Sequence, residues 1–335
     1  MRLSPSKPVF ALIFLVLAAS PALAESNLRS TGYVLQQTLN AAQVGALYSL
    51  LAVAYGLLHS ITNRIVLSFG DIATFGAFYT IYTVLLMLIS GYAPGIAIAV
   101  VFLAAIAGTA ALGYVVQIGV FTPLIRTPSQ AIMIASIGLS IALQEVLRVQ
   151  SSGRDQWLSP IFADPLFRYD FDGFIIHISL MQIILIGVSA GLIASLLLVL
   201  KGTSAGRLWR ACSQNPDLAR LCGVDTGRVI RWTAAAAAGF AAAGGWILAV
   251  AYGGVGFQMG LVYGLKALFA SIIGGFGTIS GAIAGGLALA ALETAWSAFF
   301  PIVYRDVAVF LVVILVFVVK PDGLVGAVMR RESEN

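Results

Sequence analysis

The chain has 335 residues, of which 60% are hydrophobic and only 10% are charged, and its formal net charge is +5. About a quarter of the residues of a soluble domain are charged, so this composition excludes an ordinary soluble protein and indicates a polytopic membrane protein. The positive charge says little about nucleic acid, because basic residues gather in the cytoplasmic loops of membrane proteins and set their orientation.

The first residues have the pattern of a secretory signal peptide. Arg2 and Lys7 precede an apolar stretch from Val9 to Ala19, and Ala22-Leu23-Ala24 forms an A-x-A cleavage signal. The apolar stretch is shorter than the length of about 20 residues that a membrane-spanning helix requires. We predict a signal peptide at 1–24, with an uncleaved signal anchor as the alternative. In either case the next segment begins outside.

Nine apolar segments follow, and most of them reach the length of about 20 residues that a membrane span requires. They cover 36–58, 66–90, 95–120, 130–148, 179–200, 229–252, 256–276, 281–300 and 304–320. Glycines at both ends of 256–276 favour a broken or re-entrant segment near 256–280. We therefore predict an all-α polytopic membrane protein, with a transmembrane domain at 33–326 and eight or nine spans.

Charged residues orient these spans. The loop at 201–231 carries six basic and two acidic residues, and the tail after 320 is also basic, so both are expected in the cytoplasm. The loop at 149–178 is then external, and its aspartates outnumber its arginines. It either receives a partner or only covers helix ends, and its composition slightly favours the second.

The cytoplasmic loop at 201–228 contains the signals of a short helix at 216–222. Asn215 can cap it, Pro216 suits its first position, Asp217 complements the helix dipole, and Gly223 can end it in the left-handed conformation. An apolar side would be formed by Leu218, Ala219, Leu221 and Cys222. A helix of about two turns is not stable alone, so packing must hold it. From the residues alone, a docking surface and a loop folded on its own neighbours are equally favoured.

No pattern of catalysis or cofactor binding is present. The sequence has no G-x-x-x-x-G-K-[ST], G-x-S-x-G or H-E-x-x-H motif, so any energy from ATP must come from a partner. Cys212 and Cys222 lie in the predicted cytoplasmic loop and should stay reduced, while His59 and His177 fall on opposite sides of the membrane. We predict no disulfide, no metal, no cofactor on this chain and no enzyme activity.

Two ionisable residues, Lys266 and Glu293, lie in the middle of predicted spans, where a buried charge is costly. If the chain turns near 278–281, both lie about 15–20 Å from the turn and could pair. A structural salt bridge is favoured over a place on the translocation path. The glycines at 274–286 allow close helix packing or open the backbone toward a cavity. A similar turn, at 67–76, lies at the start of the second span. The candidates for the path are Gly70, Asp71, Lys266, Gly274, Gly275, Gly277 and Glu293.

Five segments resemble the permease subunits of branched-chain amino acid ABC transporters in order and spacing. They are Arg210-Ala211, Leu221–Ile230, Gly264–Ala267, Gly274–Gly286 and Pro321–Leu324. The resemblance is close over 207–326 and looser over 33–206. It implies an inner-membrane subunit that forms half of a pore with a second homologous permease, and that works with two cytoplasmic ATPases and a periplasmic binding protein.

In such a permease the helix at 216–222 resembles the coupling helix that the ATPase holds. The resemblance assigns this coupling to Arg210, Asn215, Pro216, Asp217, Leu218, Leu221, Gly223 and Asp225. It implies cargo such as a branched-chain or related amino acid. Many members have an Asn and a His where this chain has Val66 and Phe69, so another amino acid, urea or a short amide is the alternative cargo. An ion-gradient-driven transporter is less favoured, because the spans lack a relay of ionisable residues.

Overall fold

The computed structural model describes residues 31–91, 94–125, 127–158, 165–171, 174–275 and 278–319. The predicted signal peptide at 1–24 and the basic tail after 320 lie outside these ranges. The helices are α1 (Thr31–Thr62), α2 (Phe69–Ile89), α3 (Pro94–Val116), α4 (Ser129–Gln150), α5 (Leu180–Gly202), α6 (Ser204–Gln214), α7 (Pro216–Leu221), α8 (Thr226–Tyr252), α9 (Met259–Gly274), α10 (Ile279–Phe299) and α11 (Arg305–Val319). A π-helical turn (Gln117–Phe121) and a short helix (Thr122–Leu124) extend α3, and a 3-10 turn (Ile302–Tyr304) precedes α11.

Eight helices within the described ranges are long and apolar enough to cross a membrane. Each of the nine predicted spans coincides with one helix, and eight of these helices reach spanning length, so the prediction of an all-α polytopic membrane protein is confirmed. The segment predicted to be broken contains α9, which has only 16 residues. At 1.5 Å per residue α9 extends about 24 Å, which is less than the hydrocarbon thickness of about 30 Å.

Four short strands within the described ranges were not predicted: β1 (Gln156–Trp157), β2 (Pro165–Phe171), β3 (Phe174–Ser179) and β4 (Gly254–Val255). β2 and β3 form an antiparallel hairpin within the predicted external loop. β1 pairs antiparallel with β4 directly after the end of α8. Gly253 makes this pairing possible, because it ends α8 in the left-handed conformation at φ +68° and its carbonyl accepts a hydrogen bond from the amide of Leu158 at 2.6 Å.

The chain forms two compact units. The first unit contains the start of α1, the β2–β3 hairpin, the start of α5, the end of α9, α10 and α11. In this unit α10 packs against α11 and against the end of α9. At Gly285 of α10, a Cβ atom would lie 1.9 Å from the carbonyl oxygen of Ala270, so only glycine allows the two helices to come this close.

The second unit contains the rest of α1, α2, α3, α4, the rest of α5, α6, α7, α8, the start of α9 and the β1–β4 pair. Its centre is α8, which packs along α2 and α3. The middle of α8 is rich in alanine and glycine and is almost entirely buried. At Gly245 a Cβ atom would lie 2.1 Å from the carbonyl oxygen of Ala73, so these small residues set the distance between α8 and α2.

Candidate functional site

The short helix α7 begins as its sequence predicts. Asn215 is extended at its N-terminus, and its side-chain oxygen accepts hydrogen bonds from the amides of Asp217 at 3.1 Å and Leu218 at 3.0 Å. Pro216 occupies the first helical position, where a missing N–H group costs nothing. The cap thus satisfies two of the amide groups that a helix start leaves without partners.

The end of α7 is equally well defined. Gly223 adopts the left-handed conformation at φ +80°, and its amide donates to the carbonyl of Arg220 at 3.0 Å. The amide of Val224 donates to the carbonyl of Ala219 at 3.0 Å, which completes a Schellman motif. Asp225 then caps α8 by accepting from the amide of Arg228 at 2.9 Å. Only Cys222, Gly223 and Val224 therefore lie between the last residue of α7 and the cap of α8.

The apolar residues of α7 differ in their environments. Ala219 is buried against Cys212 of α6 and Ile230 of α8. Leu218 is 58% exposed and Leu221 is 84% exposed. Since α7 has only six residues, it depends on the Ala219 contact and its caps to keep its place. It therefore presents two leucines outward while Ala219 packs against α6 and α8.

Helix α6 was not predicted, although Thr203 is a helix-capping residue type. The side chain of Thr203 accepts from the amide of Gly206 at 3.3 Å and starts α6. Arg210 of α6 donates from Nη1 to the carbonyl of Leu200 at the end of α5. Its position at the α5–α6 corner indicates that it anchors α6. Among the predicted coupling residues, Arg210 is thus placed on α6, away from the exposed side of α7.

Asp71 lies in the first turn of α2 and is fully buried. Its carboxylate accepts hydrogen bonds from Ser140 Oγ at 2.5 Å and from Gln144 Nε2 at 2.9 Å. Ser140 and Gln144 are one turn apart on α4, and sequence analysis missed both. Polar residues at a spacing of four within a span are the signal that could have identified them. These hydrogen bonds offset part of the cost of burying the carboxylate.

The neighbouring Gly70 lets α2 contact α9 directly. A Cβ atom on Gly70 would lie 1.9 Å from the carbonyl oxygen of Gly260 and 2.6 Å from the Cα atom of Gly264. A Cβ atom on Gly260 would in turn lie 2.5 Å from Oδ1 of Asp71. The glycines of α2 and α9 therefore close one side of the space around the buried carboxylate.

Lys266 and Glu293 are both buried, and they belong to different compact units. Lys266 Nζ lies 5.8 Å from the ring centroid of Tyr263. The carboxylate of Glu293 accepts a hydrogen bond from the hydroxyl of Tyr48 at 2.7 Å and lies 3.1 Å from Nε of Arg305. Sequence analysis missed Tyr48 and Arg305. The pairing of Lys266 with Glu293 stays a prediction.

The glycines after α9 form a tight corner. Gly274 ends α9, where a Cβ atom would lie 1.8 Å from the carbonyl oxygen of Gly281, and Gly275 has φ +98°. Gly277, the third predicted residue of this run, lies outside the described residues. Thr278 starts α10 by accepting from the amide of Gly281 at 3.2 Å.

The two cysteines differ in environment. Cys212 is buried in the contact of α6 with α7, whereas Cys222 is exposed. Burial raises the pKa of the Cys212 thiol, and the nearby Arg220 partly opposes this rise. No group of three or more His, Cys, Asp or Glu residues in the described part of the chain is placed to hold a metal ion.

The family model for the branched-chain amino acid transport system permease component matches residues 37–319. The chain is 30% identical over 295 residues to the high-affinity branched-chain amino acid transport system permease protein LivH of Escherichia coli, and LivH of Salmonella typhimurium matches equally. It is 28% identical to the corresponding BraD protein of Pseudomonas aeruginosa. Each alignment covers 88% of this chain and 96% of the relative. No solved structure is significantly similar to the chain.

The resemblance stated from the five short segments is confirmed, because the match extends over nearly all of the described helices. The length of the match and its coverage of the relatives leave no large part of those proteins without a counterpart here. This multi-pass membrane protein belongs to the family of branched-chain amino acid transport system permease components.

Proposed function

We propose that this chain is a permease subunit of an ATP-driven importer and forms half of the translocation pore for branched-chain or related amino acids. Membership of the permease family and eight helices long enough to span a membrane support this proposal. The sequence lacks a P-loop, so in the proposed assembly ATP is bound and hydrolysed by partner subunits and this chain is not an enzyme.

The observation that carries the proposal is the exposure of Leu218 and Leu221 on the doubly capped helix α7. Exposed leucines on a helix held by its own caps form a preorganised docking surface, because little entropy is lost when a partner binds. The proposed partner is one of two cytoplasmic ATPases. The coupling surface comprises Asn215, Pro216, Asp217, Leu218 and Leu221, with Arg210, Gly223 and Asp225 holding it in place.

The buried polar groups are the candidates for the path of the cargo. Asp71, with the hydrogen bonds from Ser140 and Gln144, and Lys266 are the leading ones. The ion pair of Glu293 with Arg305 favours a structural role for Glu293, whereas the predicted pair was Glu293 with Lys266. The remaining members of the proposed path are Gly70, Gly274, Gly275 and Gly277.

The proposed orientation follows from the basic loop around α7. The positive-inside rule places that loop and the C-terminus in the cytoplasm of a bacterial inner membrane. The loop at 149–178, with the β2–β3 hairpin, then faces the periplasm, where a solute-binding protein would deliver the cargo. A second homologous permease completes the pore, and the segment at 1–24 acts as the signal peptide.

A charge placed on the docking surface tests the proposal. Leu221→Asp should leave the chain in the membrane and reduce ATP-driven uptake of radiolabelled leucine by at least about thirtyfold, because the loss of a buried interface leucine to a charge costs roughly 2 kcal/mol or more. ATP hydrolysis by the assembled ATPases should no longer respond to the loaded binding protein. Leu218→Asp should act in the same direction.

Ser204→Asp is the matched control. It adds the same charge to the same loop at the exposed start of α6, where the helix dipole favours an acidic residue. Normal uptake is expected for this variant. Normal uptake in Leu221→Asp would refute docking at α7. Uptake of urea in place of leucine by the wild type would show that the cargo is a short amide.

A further inference from the structure

A cavity of about 380 Å³ lies beside α7. One wall is formed by Pro216, Asp217 and Arg220 of α7, and the facing polar residues are Arg64 and Gln117. All of the lining residues belong to the second compact unit. The cavity is at the small end of the range of about 300–1,000 Å³ that ligand sites occupy.

The polar side of this cavity carries both signs of charge. Arg64 lies in the loop between α1 and α2, and one of its five N–H groups donates from Nη1 to the carbonyl of Thr127 at 3.2 Å. Arg220 and Asp217 come from α7 and form an exposed ion pair, with Nη1 and Oδ1 at 3.5 Å. Arg220 also donates from Nε to Thr226 Oγ1 at 2.8 Å, so these two bonds occupy only part of its five N–H groups. Gln117 is 3% exposed and lies in the π-helical turn, a feature that often occurs at functional sites.

The rest of the lining is apolar apart from Thr62. Val66, Phe121, Ile132 and Ile230 line the cavity, and each is less than 9% exposed. These branched and aromatic side chains belong to separate elements that the unit holds together. The cavity therefore offers an aliphatic wall opposite two guanidinium groups and one carboxylate.

A free amino acid with a branched aliphatic side chain has the complementary chemistry. Its carboxylate matches Arg64 and Arg220, since guanidinium groups bind carboxylates in a planar, two-pronged geometry. Its ammonium group matches Asp217, and its side chain matches the aliphatic wall. Inorganic phosphate has no apolar part to contact the apolar wall, and an acyl chain has no ammonium group to contact Asp217. Neither ligand therefore matches all of the lining groups.

We propose that this cavity binds a free zwitterionic amino acid with an aliphatic side chain, supplied from the side of the membrane that carries α7, and that its binding slows transport. This inference rests on the proposed function, because it requires α7 to move with the ATPases. A ligand that contacts both α7 and Arg64 stabilises the position of α7 in which Asp217 and Arg220 line the same cavity as Arg64. By linkage, that preference opposes the other position and lowers the rate of the transport cycle.

Inhibition by internal leucine tests the site. Proteoliposomes that contain the full importer are loaded with ATP and unlabelled L-leucine, and uptake of radiolabelled leucine from the loaded binding protein is measured. Internal leucine should slow uptake. Leucinol, which lacks the carboxylate, and 4-methylpentanoate, which lacks the ammonium group, should each inhibit at least about tenfold more weakly, because each loses one charged hydrogen-bonding partner.

Two variants connect the inhibition to the cavity. Arg64→Gln should keep basal uptake and raise the leucine concentration for half inhibition about tenfold. Ile132→Trp should fill the cavity and abolish the inhibition. Arg228→Gln is the matched control, because Arg228 is an exposed arginine on the same face that does not line this cavity, and its inhibition should equal that of the wild type.

Equal inhibition of the wild type and Arg64→Gln, or no inhibition of the wild type, would overturn the site while leaving the importer intact. A complex that takes up no leucine at all would instead overturn the proposed function. In that case the binding of radiolabelled leucine to the purified chain in nanodiscs decides the inference. Binding about tenfold weaker in Arg64→Gln than in Arg228→Gln supports the cavity, and equal binding in both overturns it.

Discussion

Replacing Gly70 by alanine should destabilise the second unit, because this glycine allows α2 and α9 to touch. The added Cβ atom would lie 1.9 Å from the carbonyl oxygen of Gly260, whereas ordinary contact begins at 3.4 Å. The two backbones must therefore separate by about 1.5 Å at this point, and the closely packed interior resists such a shift. Overpacking of this kind costs about 1–3 kcal/mol.

Gly138→Ala is the matched control for this substitution. Gly138 also lies inside a helix, α4, but a Cβ atom there would have no neighbour within 4 Å. Alanine should be neutral or should stabilise the helix by up to about 1 kcal/mol. At about 2–4 °C per kcal/mol, a difference of about 2 kcal/mol between the variants corresponds to about 4–8 °C in Tm.

The assay is the apparent Tm of the purified chain in detergent, read at one fixed heating rate because membrane proteins commonly unfold irreversibly. Gly70→Ala should melt several degrees below Gly138→Ala and below the wild type. If Gly70→Ala has the same Tm as the wild type, the α2–α9 contact is not as close as described. The conclusion that these helices close one side of the space around Asp71 would then be wrong as well.

Two further predictions concern thiol reactivity and the buried ion pair. A maleimide should label Cys222 at neutral pH far faster than Cys212, since burial both shields the Cys212 thiol and raises its pKa, which lowers its thiolate fraction; equal labelling by peptide mass spectrometry would contradict the packing of α6 on α7. Arg305→Met should lower the free energy of unfolding by about 2–4 kcal/mol, because it removes compensation of the buried Glu293 charge, and the double variant with Glu293→Met should recover part of that loss. Losses that simply add in the double variant would exclude the pair as an energetic unit.

The positions of the spans could be predicted because bilayer thickness fixes the length of an apolar run. Helix α7 could be predicted because its limits are set by local chemistry: Asn215 and Pro216 at the start and Gly223 at the end. The direction of its side chains could not be predicted, since it depends on Ala219 packing against residues of α6 and α8.

The partners of the buried charges show where sequence reasoning ends. The cost of burying charge identified Lys266 and Glu293 as unusual, and Asp71 was a candidate because it lies at a turn similar to the glycine-rich one. The hydrogen-bonding partners of Asp71 and Glu293, however, lie far away in the chain. Ser140 is 69 residues from Asp71, and Tyr48 is 245 residues from Glu293. The β1–β4 pair likewise joins two-residue segments that carry no strand pattern of their own. Such contacts are products of the tertiary fold, and no local pattern encodes them.

The junction between α7 and α8 has a mechanical consequence. Only Cys222, Gly223 and Val224 lie between the end of α7 and the Asp225 cap, and Ala219 packs in one cluster with Ile230. The junction therefore has little freedom to bend. A push on α7 would be transmitted directly to α8, which has 27 residues and is about 40 Å long. The alanines and glycines of α8 pack closely along α2 and α3, so we expect α8 to move as a rigid body. A displacement of its first residues would then move the β1–β4 pair at its other end by a similar distance.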